Sequence, residues 1–285
     1  MSEFHGLVNA ILVIVMIYVI AMILKAKGIL KEEHSLTLAR IVTDVFLPAI
    51  VFVSLAKQKI QLDQIEPALV MLGLELLFIA LAWFLSSLLK FNRAQQGAIV
   101  FCSAFGSSTF LGYSIVLQMF PDNPEALSEA VLVSEIGVGY PIFILGPILA
   151  AYFGSGKLKS SKWKASLGFF RSPVFFALFA GLLWSILRIP GEENLYMAPF
   201  FRLGTVLSAA LTPLAILSVG LMFKKPAVRS ILIPLGIVIV LKLILKPLLA
   251  DHLATWFGFP ELWREILVLM AAMPSAVLGV VFLRR

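Results

Sequence analysis

Between Ser103 and Thr109 the chain gathers four hydroxyl side chains, Ser103, Ser107, Ser108 and Thr109, around Gly106, in the middle of a long apolar stretch. Hydroxyl groups can donate hydrogen bonds to a carboxylate. A second polar interruption, Pro274-Ser275, lies in an apolar stretch near the C-terminal end. A proline inside a helix removes one backbone hydrogen bond and costs ~3 kcal/mol in water, so it breaks or kinks the helix. Unwound backbone in apolar surroundings is tolerated where it lines a cavity or is buried in protein. Broken helices also aim partially charged ends at ions and anionic ligands. Gly106, Ser107, Ser108, Thr109, Pro274 and Ser275 are therefore the candidate ligand-binding residues. The competing reading is plain helix packing, with Ser103 and Ser107 as a small-xxx-small pair and Pro274 as an ordinary kink.

Ionisable residues inside apolar runs form a second set. Asp44 stands one turn before Pro48 in Phe46-Leu47-Pro48-Ala49-Ile50, and Glu135 precedes Gly137 and Gly139. A carboxylate that deep marks a pathway, a proton relay or an ion pair. Glu75 and Lys242 are further members, able to pair with each other or with other groups. Lys242 and Lys246 share one helix face at i, i+4; snorkelling of both towards a membrane surface is favoured over anion attraction. Asp44, Pro48, Glu135, Pro213 and Lys242 are the candidate pathway or coupling residues. No His-Glu-x-x-His pattern, glycine-rich phosphate loop or nucleophile elbow occurs, so no enzyme activity, cofactor or metal is expected. The single Cys102 excludes an intrachain disulfide.

The elements that must position these residues follow from composition. Of 285 residues, 60% are hydrophobic and 14% charged, with mean hydropathy +1.00. Soluble domains carry about 25% charged residues, so this chain has too few charges to coat a water-facing surface. A run of ~20 apolar residues crosses the hydrocarbon core of a bilayer. Spans are expected near 7–24, 35–56, 65–89, 94–120, 126–153, 173–189, 195–223, 228–250 and 260–283. The charge order around the first run, Glu3 before and Lys25 and Lys27 after, reverses that of a secretory signal, so it is expected to remain as a span.

The net charge of +7 falls in alternate loops rather than on a nucleic-acid face. After spans one, three, five, seven and nine come Lys25, Lys27 and Lys31; Lys90 and Arg93; Lys157, Lys159, Lys162, Lys164 and Arg171; Lys224, Lys225 and Arg229; and Arg284 and Arg285. The intervening loops hold Lys57, Lys59 and Arg188, with Arg202 and Arg264 near span ends, and collect Asp63, Glu66, Asp122, Glu125, Glu192, Glu193, Asp251 and Glu261. The positive-inside rule then predicts the N-terminus outside and the basic loops in the cytoplasm.

The chain also repeats itself. Pro213 stands 165 residues after Pro48, Pro234 stands 167 after Pro67, and Pro274 stands 168 after Gly106. Glu75 and Lys242 each lie eight residues beyond the proline of the middle pair. A unit of five spans duplicated in tandem begins its second copy on the opposite side of the membrane, giving an inverted repeat. The expected division is a first repeat at 1–153, a cytoplasmic basic loop at 154–172 and a second repeat at 173–285. The partner of span five would begin near residue 294, beyond Arg285, so nine spans are expected and the tenth is absent.

Three elements carry a family resemblance: Phe46-Leu47-Pro48-Ala49, Thr109-Phe110-Leu111-Gly112 and Ala271-Ala272-Met273-Pro274-Ser275-Ala276-Val277. In order and spacing the chain resembles the auxin efflux carrier family of membrane permeases, which includes plant auxin exporters and bacterial malonate-type carriers. The resemblance implies an all-helical integral membrane fold of two inverted five-helix halves, with the fourth and ninth spans broken and crossing near the midplane. It departs from the family where Ser107 replaces an Asn, Thr109 a Gly and Ser114 a Pro. The implied function is a secondary carrier in the cell membrane, a bacterial inner membrane in the expected setting, moving a small organic anion such as a carboxylate. Substrate would bind near the midplane between the crossover and a bundle containing span two, with alternating access from movement of one bundle against the other. Proton coupling, sodium coupling and no coupling stay open, as does a homodimer. The alternatives are a sodium-coupled symporter of the bile-acid type and a non-transporting membrane subunit or sensor.

Overall fold

The computed structural model describes residues 2–153, 172–223 and 232–276. Every named element within them is helical. In chain order they are α1 (Ser2–Ala26), α2 (Glu32–Ile41), α3 (Leu47–Ala56), α4 (Glu66–Leu88), α5 (Arg93–Ala104), α6 (Tyr113–Met119), α7 (Pro124–Ser134), α8 (Tyr140–Phe153), α9 (Pro173–Ile186), α10 (Ala198–Met222), α11 (Leu232–Val238), α12 (Lys246–Phe257) and α13 (Glu261–Ala271). Four junctions between them are wound as π-helix: Val42–Phe46, Ser108–Gly112, Glu135–Gly139 and Ile239–Leu245. Helix satisfies every backbone donor and acceptor within one segment, which an apolar environment demands.

Among the described residues, six helical stretches are long and apolar enough to cross a membrane: Gly6–Ala26, Glu32–Ala56, Leu62–Leu88, Pro124–Ala150, Ala198–Met222 and Leu232–Phe257. They coincide with expected spans one, two, three, five, seven and eight. The other three expected spans differ for visible reasons. Span four is interrupted between α5 and α6, span six is the 14-residue apolar helix α9, and α13 ends at Ala271. The basic loop at 154–171, Lys224, Lys225, Pro226, Arg229 and the chain beyond Ala276 lie outside the described residues. Large apolar side chains face outward along α1, including Ile11, Leu12, Met16, Val19 and Ile20, as a lipid-facing helix requires.

Local chemistry sets the helix ends. The Asn92 side chain accepts from the Gln95 amide at 2.9 Å while the Gln95 side chain accepts from the Asn92 amide at 3.3 Å, a capping box that starts α5. Ser172 caps α9 through the Phe175 amide. Gly258 closes α12 at φ 70°, a conformation open to glycine at no steric cost.

The helices group into two compact units. The first takes in the described residues of Met1–Gln61, Phe110–Val131 and Phe170–Lys225. There α3 packs on α9 and α10, and α1 packs on α10 and α6. Glycines permit these contacts: a Cβ on Gly220 would come 2.7 Å from the Ala21 Cβ, and one on Gly204 would collide with Val53. Chain ends in this unit meet in pairs. Lys25, in the last turn of α1, donates to the Leu221 carbonyl at the end of α10 at 2.7 Å. Lys57, just after α3, pairs with Glu192, beyond α9, at 2.6 Å.

The second unit takes in the described residues of Leu62–Thr109, Leu132–Phe169 and Pro226–Arg285. Its centre is α4, which packs on α5, α12, α13 and the π-helical Glu135–Gly139 segment. A Cβ on Gly137 would lie 2.7 Å from the Met71 Cβ and 3.0 Å from the Ala68 carbonyl oxygen. Backbone cannot yield as a flexible side chain can, and overpacking of this kind costs about 1–3 kcal/mol. Gly137→Ala is therefore expected to lower the melting temperature of the purified protein. Gly73→Ala, whose Cβ meets nothing within 4 Å, is expected to leave it unchanged or raise it slightly. Thermal unfolding of the two variants side by side checks the contrast.

Candidate functional site

All six candidate ligand-binding residues fall in the second unit, where two chain breaks meet. Helix α5 ends at Ala104, and Phe105 is extended at φ −82°, ψ 127°. Helix α13 ends at Ala271, and Met273 to Ala276 carry no helix. The two freed strands of backbone pair as an isolated antiparallel bridge between Gly106 and Ser275. The Ser107 amide donates to the Pro274 carbonyl at 2.7 Å, and the Ala276 amide donates to the Phe105 carbonyl at 3.0 Å. Each break thus supplies the hydrogen bonds that the other lost.

The end of α5 leaves carbonyl groups without helical partners, and these must be met in a buried place. The Phe105 amide bonds the Phe101 carbonyl at 3.1 Å, and the Ser275 hydroxyl bonds the Cys102 carbonyl at 2.8 Å. The Ala104 carbonyl accepts from two lysine side chains, Lys242 Nζ at 3.0 Å and Lys246 Nζ at 2.7 Å. Cations at a helix C-terminus are favoured by the partial negative charge there. Lys246 also pairs with Glu75 at 2.7 Å, with both side chains fully buried, and its ammonium lies 6.0 Å from the Phe78 ring centroid. Gly106 lies against this arrangement: a Cβ there would come 2.9 Å from Lys242 Nζ, and the end of the lysine side chain would have to shift.

One reading of the lysines is corrected by this geometry. Neither snorkels: Lys242 is 1% and Lys246 0% exposed. Of the partners left open to Glu75, the structure pairs it with Lys246. The physical reason is that the broken end of α5 and the Glu75 carboxylate lie within the protein and draw both ammonium groups inward.

On the far side of the break, Ser108 and Thr109 open the π-helical Ser108–Gly112 segment. Their hydroxyls meet the Ser134 hydroxyl at 2.7 and 3.2 Å. Ser134 is the last residue of α7, and Glu135, 4% exposed, begins the next π-helical segment. Ser107 and Ser108 are buried, Thr109 is half-buried and Pro274 is exposed. The serine hub therefore links the break to the buried Glu135 backbone. Ser103 is fully buried, and its hydroxyl finds no hydrogen-bond partner among the described residues.

Asp44, Pro48 and Pro213 belong to the first unit and are not gathered with this group. Asp44 is exposed within the π-helical Val42–Phe46 segment, and its carboxylate accepts from the Thr43 hydroxyl at 3.4 Å. Pro48 lines an apolar cavity of about 270 Å³ with Phe52, Val53, Phe200 and Gly204. Helix α10 runs on through Pro213 without a break. Sequence reasoning missed Ser134 and the Ala104 carbonyl. For the second a signal existed, since two lysines and a glutamate inside apolar spans must find partners.

The buried pair yields a direct test. Removing one member of a buried ion pair strands the other and costs about 3–5 kcal/mol. Lys246→Met is expected to lower the melting temperature strongly. Adding Glu75→Gln to Lys246→Met is expected to restore much of the loss, a coupling that a double-mutant cycle of thermal unfolding reads out.

Comparison with known proteins places this geometry in a family. Residues 7–166 match the family of membrane transport proteins. An uncharacterized transporter of Methanocaldococcus jannaschii is 28% identical over 280 residues, covering 96% of this chain and 87% of that protein. An uncharacterized transporter of Methanothermobacter thermautotrophicus is 27% identical over 283 residues, covering 98% and 88%. A protein of Rhizobium meliloti provisionally named a malonate transporter is 24% identical over 238 residues, covering 81% and 71%. With apolar helices of spanning length in both units and more than half its length matched to the family, the chain belongs to the auxin efflux carrier family of membrane transport proteins.

Proposed function

We propose that the chain is a secondary carrier for a small carboxylate, with the paired breaks of the second unit as its binding site. The observation that carries this reading is the Gly106–Ser275 bridge, where two helices stop at one place inside a span-forming unit. Broken helices at membrane depth are the recurring site of substrate and ion binding in transporters. The hydroxyls of Ser107, Ser108, Thr109 and Ser275 offer donors to a carboxylate, and Lys242 supplies positive charge nearby. A dicarboxylate such as malonate is the first substrate to try, supported by the provisional name of the Rhizobium meliloti relative.

The wider architecture in this reading is nine spans in an inverted repeat, divided at 1–153 and 173–285. It draws support from the bridge itself, because Gly106 and Pro274 are the matched positions of the repeat and their neighbours bond to each other. The pairing of chain ends also fits alternating loops. The ends of α1 and α10 lie together, and so do the chain just after α3 and that beyond α9. With the positive-inside rule, these pairs correspond to a cytoplasmic and an outer side, with the N-terminus outside. Asp44, Glu135 and Lys242 are the proposed coupling residues. Each lies in a π-helical segment, a distortion frequent at functional sites.

Reconstituted protein is expected to take up labelled malonate or a related small carboxylate. Pro274→Ala, and Ser107→Ala combined with Ser108→Ala, are expected to cut uptake at least about tenfold, the first by letting helix continue through the break and the second by loss of two hydrogen bonds to a charged group. Unchanged transport in both variants would show that the site lies elsewhere.

A further inference from the structure

The first unit holds a cavity of about 270 Å³ that the proposed binding site does not use. It is bounded by Pro48 and Phe52 of α3, Ala177 of α9, and Phe200, Gly204 and Leu207 of α10, and no polar side chain lines it among the described residues. Three of its lining residues, Ala49, Ala177 and Gly204, are too short to fill it. Phe200 and Leu203 on its wall are 53% and 56% exposed, so the cavity reaches the face of the unit. Apolar cavities stay dry and take apolar occupants. On a face of membrane-spanning helices the apolar molecule at hand is a lipid, whose acyl chain fills the hydrocarbon core.

Charge at the ends of the same three helices points to the headgroup. The end of α3, the end of α9 and the start of α10 lie together. The Ser185 hydroxyl donates to the Gln58 carbonyl at 2.6 Å and accepts from the Ile60 amide at 2.9 Å, and Lys57 donates to the Thr205 hydroxyl at 3.3 Å. Of the five basic residues that charge alternation leaves with the acidic loops, Lys57, Lys59, Arg188 and Arg202 all belong to these helix ends, and only Arg264 does not. Lys57 is paired with Glu192, but Lys59, Arg188 and Arg202 make no ion pair among the described residues. Arg202 stands two residues from both Phe200 and Gly204 of the cavity wall. Leu195 and Tyr196, in the loop before α10, are 82% and 85% exposed, as residues at the level of lipid headgroups are. Arginine binds phosphate in a fork of two hydrogen bonds. We propose that α3, α9 and α10 seat an anionic phospholipid, with one acyl chain in the cavity and the headgroup phosphate at Arg188 and Arg202. A second copy of the chain fits this face less well. A two-fold pair within a membrane would set the same positive helix ends against each other, and like charges repel. The inference does not rest on transport of a carboxylate.

A ligand that binds the folded protein raises its melting temperature. Protein purified in dodecyl maltoside is to be melted with added phosphatidylglycerol and with phosphatidylcholine of the same acyl chains. Phosphatidylglycerol is expected to raise the melting temperature by about 2 °C or more beyond phosphatidylcholine. Arg188→Gln combined with Arg202→Gln is expected to abolish that difference. Lys27→Gln combined with Lys31→Gln, which removes the same charge at other helix ends, is expected to keep it. Ala177→Phe, which puts a ring into the cavity, is expected to reduce the rise from both lipids. Should that variant fail to fold, the arginine pair, exposed on the surface, still decides. Equal rises from the two lipids, or a lysine pair that loses the difference as fully as the arginine pair, would overturn the proposal. So would a dimer in lipid-free detergent, seen by light scattering, that Ala177→Phe dissociates, since the face would then belong to a second copy.

Discussion

In apolar surroundings a backbone carbonyl has no water to turn to, and the second unit is organised around that constraint. Helix α5 stops at Ala104 with its last carbonyls buried. The Phe101, Cys102 and Ala104 carbonyls are met by the Phe105 amide, the Ser275 hydroxyl and two lysine side chains, and the next carbonyl, of Phe105, by the Ala276 amide from the second break. Burying a polar group without a hydrogen bond costs about 1–3 kcal/mol by mutational measures, so several such groups left open would consume much of a protein's marginal stability. The breaks are tolerated because each completes the other.

The lysines bring a second obligation with them. Two lysine side chains inside the protein need partners, and the carbonyl end of α5 supplies one for both. Glu75, from the middle of α4, supplies the rest for Lys246. This ties α4, α5 and α12 together at one point, and α4 is also the helix against which Gly137 brings the Glu135 segment into close contact. The serine hub at Ser134 joins the same segment to Ser108 and Thr109. Polar contacts thus run from Glu75 through Lys246 to the end of α5 on one side of the break, and from Ser108 and Thr109 to Ser134 on the other.

Much of this plan is legible from residue patterns, and some is not. Apolar run length gives the spanning helices, because crossing a bilayer demands it. Proline, glycine and hydroxyl residues at Gly106 and Pro274 mark the breaks, because those residues leave helices at the least cost. The repeat spacing puts those two positions in correspondence, and the neighbours of each bond to the other in the structure. The direction of the lysine side chains is not legible. Lys242 and Lys246 on an apolar helix look like snorkelling residues until the Ala104 carbonyl and Glu75 are seen to lie beside them. Ser134 escaped for a similar reason, since a lone serine in a span gives no sign of a partner 26 positions away in the chain. The π-helical segments are invisible as well. They leave no periodicity of their own, although four of them hold Asp44, Ser108 with Thr109, Glu135 and Lys242.

The central claim is that the paired breaks are where substrate sits. Pro274 is exposed and its carbonyl anchors the bridge through the Ser107 amide. A Pro274→Cys variant in a Cys102→Ser background would place a single thiol at that spot. Its rate of alkylation, measured with and without malonate or a related carboxylate, tests the claim most directly. Substrate occupying the breaks predicts that the carboxylate slows alkylation, while an inorganic anion of equal concentration does not. Alkylation at the same rate with saturating carboxylate, in protein that still transports it, would contradict the account.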